Sequence, residues 1–377
     1  MAAISTEPQI VSRLHQKAGV KKIPLSGTFE LSPLCNMNCK MCYIKMTAEE
    51  QKAKDWLRSK EDWLQLAREA MQEGMLFLLL TGGEPFFWPD FRELYENLHE
   101  MGLCISINSN GTLIDETVVN WLKKYPPVRI NITLYGASDE TYERMCGKKD
   151  GFSKVKKAIT LLQEAGITVK LNCSLTPYNE KDLAKMVAFA DQRGLILEVA
   201  TYMFPPVRKD ENMTGYNKRF TPEDTAKNTI RAGILQNGED TFRQFLLNNQ
   251  FPVLERRECS DIEGDVMRCR AGRSTFWVSW DFKLLACGMM TTPQEDLQLG
   301  KFKDTWMRLT ESVEAIRLSA ECQECPVKER CQTCAAMALA ETGAFDGKPE
   351  YRCKMMDTYI GLCNELKDNF DIWKGIL

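Results

Sequence analysis

The sequence predicts an α/β fold built on a parallel sheet, because short apolar, β-branched runs alternate with helical patterns along its first half. The runs fall at 28–34, 75–81, 103–108, 128–135, 167–175 and 195–203. The helical patterns between them fall at 61–73, 91–101, 115–124, 152–165 and 181–193. Such alternation makes βαβ units, whose strands lie parallel. Six buried strands suit a curled, barrel-like sheet or an open doubly wound one, and the periodicity leaves both open. In either fold, ligands gather at the carboxyl ends of the strands.

In chain order, 1–26 reads as a lead-in with a short helix carrying Ile10, Val11 and Leu14 at helical spacing. The first strand run ends on Leu34-Cys35-Asn36-Met37-Asn38-Cys39-Lys40-Met41-Cys42, a C-x3-C-x2-C cluster. Thiolates this close converge on a soft metal centre more readily than they pair. Iron–sulfur clusters take four such ligands, so three leave one iron open. The plainer reading is a structural zinc site, which wants four closed ligands. The second strand run ends on Gly82-Gly83-Glu84-Pro85. The glycines allow a close backbone approach or a positive φ, and the glutamate offers an acceptor for an ammonium group. Ser109-Asn110-Gly111 follows the third run. Composition changes near Pro205-Pro206; 208–249 is polar and helical, with Thr221-Pro222-Glu223-Asp224 as a helix start. From about 250 cysteines dominate, and 275–286 reads as a hairpin turning near Asp281.

Composition narrows the function. A net charge of −3 gives no basic footprint for nucleic acid. The longest apolar run, 75–80, is strand-sized, so neither a membrane span nor a signal peptide is expected, and the protein is expected in the cytoplasm. Fifteen cysteines in a reducing compartment point to metal ligation rather than disulfides. With only His15 and His99, metal sites are thiolate-dominated.

Cys35, Cys39 and Cys42 followed by Gly82-Gly83-Glu84-Pro85 resemble the radical S-adenosylmethionine (SAM) superfamily, over about residues 27–204. The resemblance implies a partial (β/α)6 barrel, here 27–207, and a [4Fe–4S] cluster on the three cysteines whose open iron takes SAM. By family position Gly82, Gly83 and Glu84 form the turn that meets the methionine amino group, and Met41 lies beside adenine. Ser109, Asn110 and Thr133 would face the ribose or methionine. Relatives carry an arginine just before the position of Gly147; here Cys146 holds that place, and Arg144 is the available cation for the SAM carboxylate.

Cys322-x2-Cys325-x5-Cys331-x2-Cys334, then Cys353, preceded by Cys259, Cys269 and Cys287, resembles the SPASM extension of this superfamily. That resemblance implies a domain at 250–377 with two auxiliary [4Fe–4S] clusters, three clusters in all. One would take Cys269, Cys287 and Cys334 with Cys259, the other Cys322, Cys325, Cys331 and Cys353. Cys104, Cys146, Cys173 and Cys363 are left as ordinary thiols. Two features depart from the pattern: the Cys331–Cys334 gap is one residue short, and Phe282 stands where a glycine is usual. A zinc ribbon is the plainer reading of 322–334.

SPASM enzymes include peptide maturases, sulfatase-maturating enzymes and small-molecule dehydrogenases. In the sulfatase type an aspartate follows the hairpin's second cysteine, whereas Gly288 follows Cys287 here. The leading expectation is oxidative C–C or C–S bond formation in a ribosomally made peptide. The alternatives are sulfatase maturation and, in another class, a non-catalytic zinc-stapled binding protein. The 34 residues before Cys35 do not hold a winged-helix leader domain of the family's kind, so any leader binding is expected from a separate leader-binding protein, the helical 208–249 segment or the barrel itself. A one-electron donor such as flavodoxin or ferredoxin is a partner to expect. Tyr202-Met203-Phe204-Pro205-Pro206-Val207-Arg208 is the candidate substrate-facing segment.

Overall fold

A computed structural model describes residues 8–54, 57–205, 219–248 and 264–371. The six expected strands form as β1 (Ser26–Glu30), β2 (Phe77–Thr81), β3 (Cys104–Ser109), β4 (Arg129–Thr133), β5 (Val169–Ser174) and β6 (Leu197–Ala200). Each pairs in parallel with the next. The sheet then continues from β1 through β7 (Thr275–Val278), β8 (Lys283–Leu285) and β9 (Gln294–Asp296). β7 runs parallel to β1, while β8 and β9 add an antiparallel meander. Helices cover the outer face, among them Lys60–Gln72, Phe91–Glu100, Glu116–Leu122, Gly151–Glu164 and Leu183–Asp191.

The two faces of the sheet differ in character. Side chains alternate along a strand, and only one face is apolar. Leu80, Ile107, Ile130 and Val169 stand in one cross-strand row on the helix side. The opposite face carries polar rows: Asn108, Asn131 and Lys170 in register, then Thr133, Asn172 and Glu198. A wall of amides and charges would be costly against packed helices; it is what an inner face offers to a polar ligand.

The boundary at 250 also cuts through shared structure. Phe276, Val278, Phe282 and Trp306 belong to the same core as Phe29 and Trp63. The helices Pro222–Asn237 and Glu239–Leu247 form no independent linker. Their Ile230, Ile234, Phe242 and Leu246 pack on Met355, Met356, Tyr359 and Leu366 of the helix Glu350–Asp368. The lead-in helix Gln9–Val20 is tied down by His15, whose ring nitrogens lie 3.1 Å from Ser26 Oγ and 3.0 Å from Ser274 Oγ. Between β1 and β6, two helices did not show in the periodicity, Ala48–Lys54 and Asp139–Cys146. Both are too short for a repeating apolar pattern. The second is fixed by its ends, a Ser138 cap and Gly147 at φ 64°.

In the 275–286 hairpin, Phe282 adopts φ 61°, the left-handed region that a glycine occupies without cost. Packing holds it there: the ring meets Trp63 edge-on at 5.0 Å, and the Arg58 guanidinium lies 4.6 Å from its centroid. Truncating a buried phenylalanine costs about 3–5 kcal/mol, while a left-handed residue with a Cβ costs roughly 1–2 kcal/mol. Phe282→Ala should therefore lower the melting temperature more than Phe282→Gly, the reverse of the usual order. Equal or inverted values in a thermal melt would show that position 282 is unstrained.

Candidate functional site

The exits of β1 and β2 leave the sheet side by side and are laced together. Leu31 N donates to Thr81 O (2.9 Å), Gly83 N to Ser32 O (2.7 Å) and Glu84 N to Leu34 O (2.9 Å). A Cβ on Gly83 would stand 2.2 Å from the Leu34 carbonyl oxygen, and one on Gly82 2.7 Å from that of Ser32. The two glycines thus admit the cysteine loop itself, backbone against backbone. Loop and turn form one unit.

That contact carries Glu84 into the interior, where it is 1% exposed. Its carboxylate accepts from Ser109 Oγ (2.8 Å), Asn110 N (2.7 Å) and Phe86 N (3.2 Å). Burial nevertheless pushes its pKa up to about 7, outweighing the three donors. A carboxylate has about four acceptor positions, so one remains for a cation. Ser109 and Asn110, expected to face a ligand, are committed to the protein. The Ser109 hydroxyl holds Glu84. Asn110 Nδ2 donates to Asn36 Oδ1 (2.9 Å) and reaches Cys35 Sγ (3.6 Å), while its Oδ1 accepts from Thr112 N and Oγ1. Asn36 and Thr112, joined at 2.9 Å, complete this brace; an asparagine between two cysteines gave no sequence signal beyond its place.

The loop thiols are half-buried. Cys35 Sγ also accepts from Met37 N, and Cys42 Sγ from Lys45 N, both at 3.4 Å. Burial pushes the Cys35 thiol up to about 12, with Glu84 and the other two cysteines adding to the rise. Such a thiol keeps its proton at neutral pH until a cation displaces it. Three thiols at one strand exit, with N–H groups already turned on two of the sulfurs, fit a thiolate-held iron–sulfur cluster. Cys146 is fully buried, and its nearness together with burial raises the Cys39 thiol well above its usual value.

Met41 packs half-buried against the barrel core, and Thr133 ends β4 on the inner face. Arg144 is otherwise engaged: its guanidinium donates to the Tyr178 carbonyl (2.9 Å) and pairs with Glu140 at 3.6 Å. In this arrangement it is spent on the β5 exit. Tyr202 donates to Glu341 (2.6 Å), which Arg219 also holds; Phe204 packs edge-on against it at 5.1 Å. Pro206, Val207 and Arg208 lie outside the described residues, as does Cys259.

The C-terminal cysteines gather as two neighbouring sets. Cys269, Cys287 and Cys334 share one packed cluster with Met267 and Val313, while Cys353 stands within electrostatic reach of Cys331 and Cys322. Cys269, Cys322, Cys325, Cys331, Cys334 and Cys353 line one cavity of about 720 Å³. Among the described residues no three His, Cys, Asp or Glu side chains converge as ligands of a single ion; the sulfurs ring a volume instead. A backbone N–H again faces one of them, Met289 N on Cys287 Sγ at 3.4 Å. The short Cys331–Cys334 gap is turned by Gln332 at φ 50°. The Arg352 guanidinium holds the Cys331 carbonyl there.

Residues 29–190 match the Radical SAM superfamily. The chain is 23% identical to the AdoMet-dependent heme synthase of Methanosarcina barkeri, over 84% of its own length and 93% of that protein. It is 28% identical to the antilisterial bacteriocin subtilosin biosynthesis protein AlbA of Bacillus subtilis, over 44% of this chain and 36% of AlbA, so that likeness spans about a third of the relative. Streptococcus suis SuiB bound to S-adenosylmethionine shares the fold with a TM-score of 0.65 at 19% identity, over 90% of this chain and 80% of that one. Native anSMEcpe with bound AdoMet gives 0.65 at 17%, over 92% and 100%. No helix among the described residues is long and apolar enough to cross a membrane. The cysteine loop and the turn it packs on therefore lie within a radical SAM domain, and that domain marks the chain as an enzyme.

Proposed function

We propose that the protein is a radical SAM oxidoreductase with three [4Fe–4S] clusters that oxidatively modifies a ribosomally made peptide, forming a C–C or C–S bond. Cys35, Cys39 and Cys42 hold the first cluster. When bound, that cluster and SAM supply one-electron cleavage to methionine and a 5′-deoxyadenosyl radical, which abstracts a substrate hydrogen. The chain's own contribution is positional. Glu84, braced by Ser109 and Asn110, offers its remaining acceptor to the SAM ammonium beside the Gly83 turn. Met41 flanks the adenine and Thr133 the ribose. Arg144 reaches the SAM carboxylate only by releasing Tyr178, so its part is the most conditional. Cys269, Cys287 and Cys334, with Cys259, hold one auxiliary cluster, and Cys322, Cys325, Cys331 and Cys353 the other. An external one-electron donor of the flavodoxin or ferredoxin kind is required. A separate leader-binding protein is a further proposed partner.

The observation that carries the peptide reading is the inner wall. Asn131 Oδ1 on β4 and Asn172 Oδ1 on β5 are buried carbonyl oxygens without a hydrogen-bond partner, beside the Lys170–Glu198 pair. Buried acceptors left open call for donors, and backbone amides of an extended peptide supply them in series. SuiB bound to precursor peptide SuiA and anSMEcpe with bound AdoMet and Cp18Cys peptide share this fold, which agrees with this reading. Sulfatase maturation is less well served. A Cβ at Gly288 would stand 2.9 Å from the Trp277 ring, so the aspartate of that type has no room after Cys287. A second reading, a tetrapyrrole-like small molecule, is favoured by the length of the heme synthase likeness. Reconstituted enzyme with SAM and reductant separates the two. Deoxyadenosine formation together with a mass change in the peptide encoded beside its gene supports the proposal; turnover of a tetrapyrrole instead overturns it.

Three clusters require ~12 irons per chain. Cys35, Cys39 and Cys42 changed together to Ala should abolish SAM cleavage while keeping roughly two thirds of that iron. Loss of all iron, or zinc in its place, would refute the ligand assignment.

SAM binding should follow the state of Glu84. Only the carboxylate attracts the ammonium, and its raised pKa of about 7 means binding weakens as pH falls through neutrality. Below that point the loss approaches about tenfold per pH unit. Equilibrium dialysis from pH 8 to 6 should show this slope in the wild type and a flat, weaker profile in Glu84→Gln. Matching slopes would remove Glu84 from the SAM contact.

A further inference from the structure

We propose that Arg352 is a positioning residue for one auxiliary cluster: its guanidinium fixes the ligand turn at Cys331, and its permanent charge raises that cluster's reduction potential. The inference rests on the reading that Cys322, Cys325, Cys331 and Cys353 hold the cluster. Two guanidinium nitrogens converge on one oxygen, Nη2 donating to the Cys331 carbonyl at 2.5 Å and Nε at 3.2 Å. Nη1 lies 3.0 Å from Met355 Sδ. Arg352 immediately precedes Cys353 on the helix Glu350–Asp368, so one side chain ties together two ligand segments that are separate in the chain. The turn it holds is the short one, where Gln332 stands at φ 50°.

Arg352 is also a buried cation without an anion. It is 9% exposed, and among the described residues it forms no ion pair. Its neighbours are the Cys331 carbonyl, a thioether and the Tyr202 ring, whose centroid lies 6.0 Å away. The buried carboxylate beside Tyr202 is already taken: Glu341 accepts from Arg219 Nη1 (2.6 Å) and Nη2 (3.0 Å) and from the Tyr202 hydroxyl (2.6 Å). A guanidinium does not shed its proton, so burial cannot neutralise it, and a buried charge left unpaired is costly. Four thiolates on a [4Fe–4S] core form an anion, and Cys331 and Cys353 place that anion beside the cation. Net charge and hydrogen bonding around a cluster are among what sets its potential. Reduction adds a negative charge, which a neighbouring cation favours, so removing the cation makes the potential more negative.

The test uses the full chain reconstituted anaerobically as wild type, Arg352→Gln and Arg352→Lys. The first variant keeps a donor for the Cys331 carbonyl but no charge; the second keeps the charge. Iron is counted, and a reductive titration follows the electron paramagnetic resonance signals, with the signal that SAM perturbs as internal reference. All three chains should hold the same iron. In Arg352→Gln the reduced-to-oxidised ratio of one SAM-insensitive signal at fixed poise should fall about tenfold, roughly 60 mV more negative at 59 mV per tenfold for one electron. Arg352→Lys should stay close to wild type, and the reference signal should not move in either variant. Unchanged SAM-insensitive signals in Arg352→Gln, or an equal fall in both variants, overturn the proposal. Should Arg352→Gln lose iron, Arg352→Lys decides alone: wild-type iron and potential support the proposal, and loss of either overturns it. A wild-type chain with zinc in place of iron, or with no SAM-insensitive signal, overturns the ligand assignment and this inference with it.

Discussion

The approach of two backbones, the exits of β1 and β2, sets everything else in the site. At Gly83 a side chain would meet carbonyl atoms of Pro33 and Leu34, which cannot rotate away as a side chain would. Overpacking of this kind costs about 1–3 kcal/mol even where neighbours adapt, and rigid backbone adapts least. Because the exits touch, Glu84 cannot turn outward. It is carried under Ser109 and Asn110, and Asn110 in turn reaches Cys35. A steric fact about glycine thereby becomes an electrostatic one: a buried carboxylate is held near Cys35, whose thiol it discourages from ionising.

Sheet continuity extends that unit to the far end of the chain. β7 pairs with β1 in register, Ser26 opposite Thr275 and Phe29 opposite Val278. Cys287 lies just past β8, two strands from the cysteine loop's own strand. The polar inner wall and the cysteine-lined cavity are therefore parts of one scaffold, and no hinge between β1 and β7 has to be closed to bring them together. Rigid elements hold reacting groups more accurately than loops do, and radical chemistry has most to lose from misplacement.

Much of this was legible in the sequence, and the failures have physical causes. Period-2 and period-3.6 patterning located β1–β6 and their main helices, because a repeated apolar face needs only local spacing. The Cys35, Cys39, Cys42 spacing and the Gly82–Pro85 turn located the site, because glycine and cysteine have few substitutes there. What local pattern could not show is pairing at a distance. Ser109 and Asn110 look like ligand contacts until Glu84 is seen to use them. Arg144 looks available until Tyr178 is found beneath it. Cysteine density likewise changes near 250, while the sheet runs on from β1 into β7.

The missing aspartate after Cys287 is best understood through what replaced it. Trp277 occupies that space, its ring against Gly288 and its Nε1 donating to Glu30 Oε2 at 3.1 Å. Glu30 sits on β1 on the same face as Thr28 and fully inside the protein. The indole that closes the hairpin to a carboxylate thus anchors one on the barrel side. Glu198, ion-paired with Lys170 across β5 and β6, is a second on that wall. Both carboxylates therefore stand on barrel strands, while the hairpin carries a glycine in the place after Cys287.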